Sequence, residues 1–175
     1  SHNPIIAKRV VETGLVDLLM FSINPAFDMT PARNDVLATF DDTFSSQKYT
    51  GIDANRAELY RVCQQREVSI TVMKTLGAGK LLSAEHTPFS APMTVAQCIH
   101  YVLTRPAVAS ALIGCKSSEQ IFEAVSYLDL SDEERDYTSI VGGYKSDFEG
   151  SCVYCSHCQP CPVGIDIASV NKYLD

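Results

Sequence analysis

The sequence lacks the features that would direct a chain to a membrane, to the secretory pathway or to nucleic acid. It has no run of 18 apolar residues, so a membrane-spanning helix is not expected. Its first residues show neither a basic n-region nor an apolar h-region, so no signal peptide is predicted. Basic residues are in deficit, because 14 Lys and Arg stand against 21 Asp and Glu, and this balance argues against a nucleic-acid-binding surface. We therefore expect a cytoplasmic protein that binds neither membranes nor nucleic acids.

The composition is otherwise that of a folded domain. The chain has 175 residues, of which 46% are hydrophobic and 20% charged, so it can bury a substantial core. It does not begin with Met, and its first recognisable element is a helix, with Asn3 as the N-cap and Pro4 at the first helical position. A chain that starts with a helix and without Met is expected to be the second half of a larger fold.

Segments with strand and helix patterns alternate along the chain. Residues 15–23, 68–73 and 108–113 are apolar or β-branched runs of strand length, and the first is expected to be covered on both faces. Helix starts are predicted at Asp53 and at the capping boxes that begin with Thr94, Ser117 and Ser131. This order predicts an α/β fold with parallel strands and crossover helices. Residues 24–52 are expected to form a long loop with a short helix near residues 36–40.

Two loops that follow predicted strands have the composition of an anion-binding site. Residues 74–80 (KTLGAGK) combine glycines, which allow close approach of the backbone, with two lysines. Residues 114–118 (GCKSS) lead directly into a capped helix, and helix N-termini favour phosphate groups. Each loop alone is equally compatible with an ordinary turn. Because parallel strands end at the same edge of a sheet, the two together favour a common ligand.

Four stretches of the sequence resemble the second half of an aldo-keto reductase barrel. Residues 1–3 (SHN) resemble the motif after strand five, and residues 15–27 resemble strand six. Residues 72–82 (VMKTLGAGKLL) resemble the strand-seven motif, and residues 94–125 resemble helix seven, strand eight and the next helix. The resemblance implies that residues 1–141 form a partial (β/α)8 TIM barrel, with strands six to eight and their helices.

The same resemblance implies a site for NADP(H). Leu76, Gly77 and Gly79 would line the pyrophosphate, and Lys116 and Ser117 would hold the 2′-phosphate.

Three further residues would complete that site. Gln120 and Glu123 would lie near the ribose phosphate and the adenine, and Ser1 near the nicotinamide carboxamide. The catalytic Asp, Tyr, Lys and His of the family come from the first four strands, which this chain does not contain. We therefore assign no catalytic residue and expect the chain alone to be inactive.

Four of the seven cysteines, Cys152, Cys155, Cys158 and Cys161, lie within ten residues. The three consecutive CxxC spacings followed by Pro resemble a bacterial ferredoxin run, and aldo-keto reductases with a ferredoxin-like tail share the following CPxGIDI pattern. Residues 142–175 are therefore expected to form a tail that binds one [4Fe–4S] cluster. A zinc knuckle or a metal-free oxidised loop is the alternative. The scattered Cys63, Cys98 and Cys115 are interpreted as small buried hydrophobic residues.

The expected function is that of the C-terminal part of an NADPH-dependent reductase that acts on a small-molecule carbonyl substrate. An electron-transfer partner for the tail, or self-association across exposed barrel edges, is a further expectation. Two other classes of function remain open. One is a stand-alone iron–sulfur or zinc module, and the other is a non-catalytic domain that docks on a separate half.

Overall fold

The computed structural model describes residues 2–29, 52–141 and 161–165, together with Ile167 and Val170. The strands are Leu18–Ser22 (β1), Ser69–Met73 (β2) and Val108–Ala111 (β3). The helices are Pro4–Glu12 (α1), Pro25–Met29 (α2), Ala54–Gln65 (α3), Val95–Leu103 (α4), Ser118–Ser126 (α5), Asp132–Arg135 (α6) and Thr138–Val141 (α7). The chain is thus mixed α/β, as predicted, and each strand is shorter than the apolar run that predicted it.

The three strands form one parallel sheet in the order β1-β2-β3. Met20 pairs with Thr71, and Thr71 pairs with Ser110, with an irregularity in the β2–β3 register between Ile70 and Thr71. Each strand therefore lies beside the next strand along the chain. Consecutive order in a parallel sheet requires a crossover connection between each pair of strands, as the sequence pattern predicts.

The main core lies on one face of this sheet. Leu19, Phe21, Ile70 and Val72 alternate along β1 and β2, and all four are buried. They share a single hydrophobic cluster with residues of α1, α3 and α4, namely Ala7, Val11, Leu59, Tyr60, Val62, Cys63, Tyr101 and Val102. The helices α1, α3 and α4 thus cover the same face of the sheet.

The opposite face of the sheet is largely bare. Leu18 is 59% exposed and Met20 is 48% exposed, although both lie in β1 beside buried neighbours. The Thr71 and Ser110 hydroxyl oxygens lie 3.1 Å apart on this face. The expectation that the first strand is covered on both faces is therefore wrong. The covering helices of the described residues all lie on the other side.

The helix α5 carries apolar side chains that are exposed. No residue of α5 is buried, and its spacing of apolar residues is nevertheless that of an amphipathic helix. Large side chains with at least half of their surface exposed are Ile121, Phe122, Val125 and, just after the helix, Leu128. An apolar surface of this kind is typical of a face that packs against another structure.

Most of the predicted helix starts are confirmed by their caps. Asn3 accepts hydrogen bonds from the N–H groups of the first turn of α1, and Asp53 does the same for α3. Thr94 and Ser131 form complete capping boxes with Gln97 and Glu134. The box predicted at Ser117 is only half correct. Its hydroxyl accepts from Gln120 N at 3.5 Å, but the Gln120 side chain accepts from Lys116 N instead.

One helix lies where a loop was predicted. Residues 25–29 form α2, because the Asn24 side chain accepts a hydrogen bond from Phe27 N and Pro25 opens the first turn. The short helix predicted near residues 36–40 lies outside the described residues. Among the residues that are described, the helices are all too short or too polar to cross a bilayer.

Candidate functional site

A cavity of about 520 Å³ lies between the loops that follow β2 and β3. This volume is within the range of small-molecule binding sites. The loops leave the sheet at the carboxyl ends of two adjacent parallel strands, which is where ligands of α/β proteins bind. Its walls are formed by Lys74, Thr75, Leu76, Ala78, Gly79, Leu82, Val95, Leu112, Ile113, Gly114, Cys115, Lys116, Gln120 and Glu123.

The wall from the β2 loop begins with Lys74, whose backbone is left-handed with φ of 64°. This conformation is uncommon for a residue with a side chain. The buried side chain of Asn24 donates a hydrogen bond of 2.9 Å to the Lys74 carbonyl. The same side chain accepts from Phe27 N at 2.9 Å. The loop after β1 thus fixes the direction in which the chain leaves β2.

The next part of this loop is a tight turn that needs its glycines. Gly77, Ala78 and Gly79 have φ values of 57°, 59° and 89°. Hydrogen bonds from Gly77 N to the Lys74 carbonyl and from Gly79 N to the Leu76 carbonyl close the turn. Gly77 is buried, and a Cβ atom on it would come within 3.0 Å of Leu81 Cγ. The turn therefore places the Ala78 and Gly79 backbone on the cavity wall.

The wall from the β3 loop is set by the start of α5. Lys116 N donates to Gln120 Oε1 at 2.7 Å, while Gln120 N donates to the Ser117 hydroxyl. These bonds bring Gln120 to the cavity beside Lys116, and Glu123 follows one turn later on the same side of the helix. Lys116, Gln120 and Glu123 are exposed, so a ligand could reach all three from solvent.

Most of the predicted cofactor residues lie together at this cavity. Those that line it are Leu76, Gly79, Lys116, Gln120 and Glu123. Gly77 and Ser117 do not line it: Gly77 is buried in the turn below, and Ser117 caps α5. Ser1 lies outside the described residues. The two loops that the sequence placed on one edge are therefore brought together in the structure.

Thr75 and Cys115 are among the cavity residues that were not predicted as site residues. Thr75 is 1% exposed, and its hydroxyl has no hydrogen-bond partner within the described part of the chain. Cys115 is half-buried and lines the cavity, so its interpretation as a buried core residue is wrong. Position offered a signal for both, because Thr75 directly precedes Leu76 and Cys115 directly precedes Lys116, and both of these neighbours were predicted as site residues. The residue types alone gave no such signal.

The other scattered cysteines are core residues, as predicted. Cys63 and Cys98 are both fully buried in hydrophobic clusters. Burial raises the pKa of Cys63 to about 11 and that of Cys98 to about 12. Because the thiolate is the reactive form, these two thiols are inert near neutral pH.

A buried polar cluster outside the cavity lining was not predicted from the sequence. The Asp28 carboxylate is fully buried and accepts hydrogen bonds from Tyr60 at 2.6 Å and from Tyr101 at 3.0 Å. Arg56 lies 3.4 Å from the same carboxylate and also donates to the Ser22 carbonyl. Burial raises the pKa of Asp28. Burial also raises the pKa of both tyrosines, and the nearby Asp28 carboxylate raises it further because it disfavours a second negative charge.

This cluster joins α2, α3 and α4, and its tyrosines are occupied in it. Neither Tyr60 nor Tyr101 lines the cavity. Their hydroxyls already donate to Asp28, so they are structural residues. His100, interpreted from the sequence as structural, likewise lies away from the cavity, with Nδ1 3.2 Å from the Tyr127 hydroxyl.

Of the predicted cluster ligands, only Cys161 is among the described residues. Cys152, Cys155 and Cys158 lie outside them. Main-chain hydrogen bonds from Val163 and Ile165 lower the pKa of the Cys161 thiol, and Gly164 adds a smaller contribution. Among the residues that can be described, no group of three or more His, Cys, Asp or Glu side chains is arranged to hold a metal ion.

The cavity thus combines two lysines, a glycine-rich turn, a helix N-terminus and a buried hydroxyl at one edge of a parallel sheet. This combination suits an anionic ligand with polar groups of more than one kind. Comparisons with protein-family models, with curated proteins and with solved structures found no match to this chain.

Proposed function

We propose that this chain is the dinucleotide-binding part of an NADPH-dependent oxidoreductase of the aldo-keto reductase type. One observation carries the proposal: the loops that resemble the family's cofactor motifs form the two walls of one cavity. Lys74 and Lys116 lie on opposite walls, and a ligand between them would meet positive charge from both strand ends.

The one-sided sheet supports a barrel as the parent architecture. In doubly wound α/β folds the helices cover both faces of the sheet, whereas in a (β/α)8 barrel they form an outer ring. Here the strand order is consecutive, and α1, α3 and α4 cover the same face. The bare face with Leu18 and Met20 would then be the side that points into the barrel. The exposed apolar face of α5 would pack against a neighbouring βα unit.

Different residues of the cavity would bind different parts of the proposed ligand. The turn at Leu76 and Gly79 allows a pyrophosphate to approach the backbone closely. Lys116, at the start of α5, provides a point charge for the 2′-phosphate that distinguishes NADPH from NADH. Gln120 supplies a neutral amide and Glu123 a carboxylate on the side of the cavity where the ribose and the adenine would lie.

In the proposed reaction NADPH, when bound, supplies the hydride that reduces a carbonyl substrate. A proton donor must then lie beside the developing alkoxide, and its role is usually filled by a tuned Tyr or His. Within the described residues, Tyr60 and Tyr101 are committed to Asp28, and His100 lies away from the cavity. We therefore expect catalysis only when further barrel strands supply the donor.

The tail is proposed to bind a [4Fe–4S] cluster through Cys152, Cys155, Cys158 and Cys161. Main-chain N–H groups that point at a sulfur stabilise its thiolate form, and such bonds are found around the thiolate ligands of iron–sulfur clusters. Cys161 receives bonds of this kind from Val163 and Ile165. The part of the tail that can be described therefore fits a thiolate ligand.

The proposal is tested by cofactor titration of the purified protein. Replacing Lys116 by Ala should weaken NADPH binding about ten- to a hundredfold, because a charge-assisted hydrogen bond contributes about 1.5–3 kcal/mol. NADH, which lacks the 2′-phosphate, should lose much less. Lys8→Ala is the matched control, since Lys8 lies on α1 beside Glu12 and Glu58 and not at the cavity.

Two outcomes of this titration would contradict the proposal. Equal losses for NADPH and NADH would remove Lys116 from the 2′-phosphate site. A protein that binds neither dinucleotide but takes up an iron–sulfur cluster would favour a stand-alone electron-transfer module.

A further inference from the structure

Thr75 is one of the residues that line the cavity, and its buried hydroxyl has no partner among the described residues. The residue is 1% exposed, and its Oγ1 atom is buried with no hydrogen-bond partner in the part of the chain that the structure describes. Buried polar groups are nearly always hydrogen-bonded, because leaving one unpaired destabilises the fold. An unpaired hydroxyl in a residue of the cavity wall is therefore a candidate for pairing with a ligand.

Its neighbours in the chain belong to the same wall of the cavity. Lys74 precedes Thr75 and Leu76 follows it, and all three line the cavity. The backbone here is held in place, because Asn24 bonds the Lys74 carbonyl and Gly77 N closes the turn onto the same carbonyl. The hydroxyl is therefore presented from a fixed main chain and not from a mobile loop tip.

The chemistry of the surroundings identifies the kind of partner. A hydroxyl can donate to an anion oxygen or accept from a neutral donor. Lys74 lies next to it in the chain, and Lys116 lies on the facing wall. The acidic residue of the cavity, Glu123, is on the α5 side and not on the β2 loop. The site around Thr75 thus favours an anionic oxygen as the acceptor.

We propose that Thr75 is a ligand-binding residue whose hydroxyl donates a hydrogen bond to a pyrophosphate oxygen of the dinucleotide. This inference rests on the proposed function, and it assigns to the site a residue that the sequence pattern did not. The pyrophosphate is common to NADPH and NADH. Thr75 therefore contributes to affinity for both cofactors and not to the choice between them.

The experiment compares Thr75→Val, which keeps the shape and removes the hydroxyl, with Thr75→Ser, which keeps the hydroxyl. The Val variant should bind both NADPH and NADH about tenfold more weakly, since one hydrogen bond to a charged group is lost. The Ser variant should stay close to wild type. Without ligand, the Val variant should melt at the same temperature as wild type or a few degrees higher, because it no longer buries an unpaired hydroxyl.

Thr71→Val is the matched control. Thr71 lies on β2, the strand that leads to Thr75, but its hydroxyl meets Ser110 on the bare face and does not reach the cavity. This variant should leave both affinities unchanged, which would show that the loss at position 75 does not come from altering β2 in general.

The outcomes separate this inference from the proposed function. If wild type binds the dinucleotides and Thr75→Val binds them equally well, the role of Thr75 is refuted and the cofactor site stands. If Thr75→Val loses affinity together with melting temperature and Ser does not restore both, the hydroxyl holds the loop and the inference is wrong. If wild type binds neither dinucleotide, the proposed function fails and this role fails with it.

Discussion

The side-chain amide of Asn24 donates a hydrogen bond to the main-chain carbonyl of Lys74, 50 residues later in the chain, over 2.9 Å. Asn24 is fully buried and also caps α2 through Phe27 N. One side chain therefore ties the end of β1, the start of α2 and the end of β2 together. Lys74, the first cavity residue after β2, therefore depends on a loop that does not itself line the cavity.

Replacing Asn24 by Ala should destabilise the protein and weaken its ligand together. The substitution leaves the Phe27 N–H without a partner, and an unpaired buried group costs about 1–3 kcal/mol. The Lys74 carbonyl loses one of its two hydrogen bonds and keeps the one from Gly77 N. Urea denaturation should show the lower free energy of unfolding, and titration should show weaker NADPH binding because Lys74 and Thr75 lose their fixed position.

Asn55→Ala is the matched control for that prediction. Asn55 is exposed in the first turn of α3, so its replacement should change the free energy of unfolding by no more than about 0.5 kcal/mol. An Asn24→Ala variant as stable as this control would mean that the bridge does not hold the β2 loop.

The buried carboxyl of Asp28 should make the protein lose stability as the pH rises above about 4. Burial raises its pKa in the folded state from the ordinary value of 3.8, despite Arg56 and the two tyrosines. Between 3.8 and the raised value, the folded protein holds a proton that the unfolded chain has released. Unfolding free energy therefore falls with pH over this window, by up to about 1.4 kcal/mol per pH unit.

Urea denaturation at several pH values checks this, with Asp28→Asn as the variant that cannot titrate. In the Asp28→Asn variant the unfolding free energy should not fall with pH over this window. In Asp17→Asn, which changes an exposed position just before β1, it should fall as in wild type. Wild type and Asp28→Asn with parallel pH profiles would show that the fold does not raise the pKa of Asp28.

Cys115 should be the cysteine of the α/β part that alkylates first, and NADPH should protect it. It is half-buried at the cavity wall, whereas burial raises the pKa of Cys63 to about 11 and of Cys98 to about 12. At mildly alkaline pH the thiolate population of the buried pair is lower than that of an ordinary thiol by about a hundredfold or more. Peptide mapping after alkylation measures all three rates. Labelling of Cys63 or Cys98 as fast as Cys115, or no protection by NADPH, would count against this prediction.

Anaerobic reconstitution with iron and sulfide should give a broad absorption band near roughly 400 nm, typical of thiolate-ligated iron–sulfur clusters. Replacing Cys152, Cys155 or Cys158 by Ser should abolish the band, because each of these thiolates would be a ligand. Cys115→Ser is the control and should leave it unchanged, since Cys115 lies at the cavity. Stoichiometric zinc without uptake of iron would instead indicate a zinc site.

Local signals in the sequence were sufficient for the helix starts. A cap is a contact between residues two or three apart, so Asn3, Asp53 and Thr94 could be recognised from the sequence alone. The cap at Asn24 was available in the same way, but α2 is too short to show a helical period. The meeting of the two cavity loops was also predictable, because it follows from parallel strand order.

Contacts between distant residues were not predictable. The Asp28 cluster joins positions 28, 56, 60 and 101, and no spacing in the sequence marks them as partners. The apolar run of β1 could not reveal that its covering helices all lie on one side. Thr75 was missed for the same reason, since only the packing around it shows that its hydroxyl is buried and has no partner among the described residues.

The consecutive order of β1, β2 and β3 also constrains how the sheet can assemble during synthesis. Each new strand pairs with the strand made before it, so none has to be inserted between two strands that are already joined. The sheet can grow at one edge as the ribosome releases the chain, with the finished strand serving as the template for the next. Contacts then form between neighbours in sequence first, which lowers the loop-closure entropy of each step.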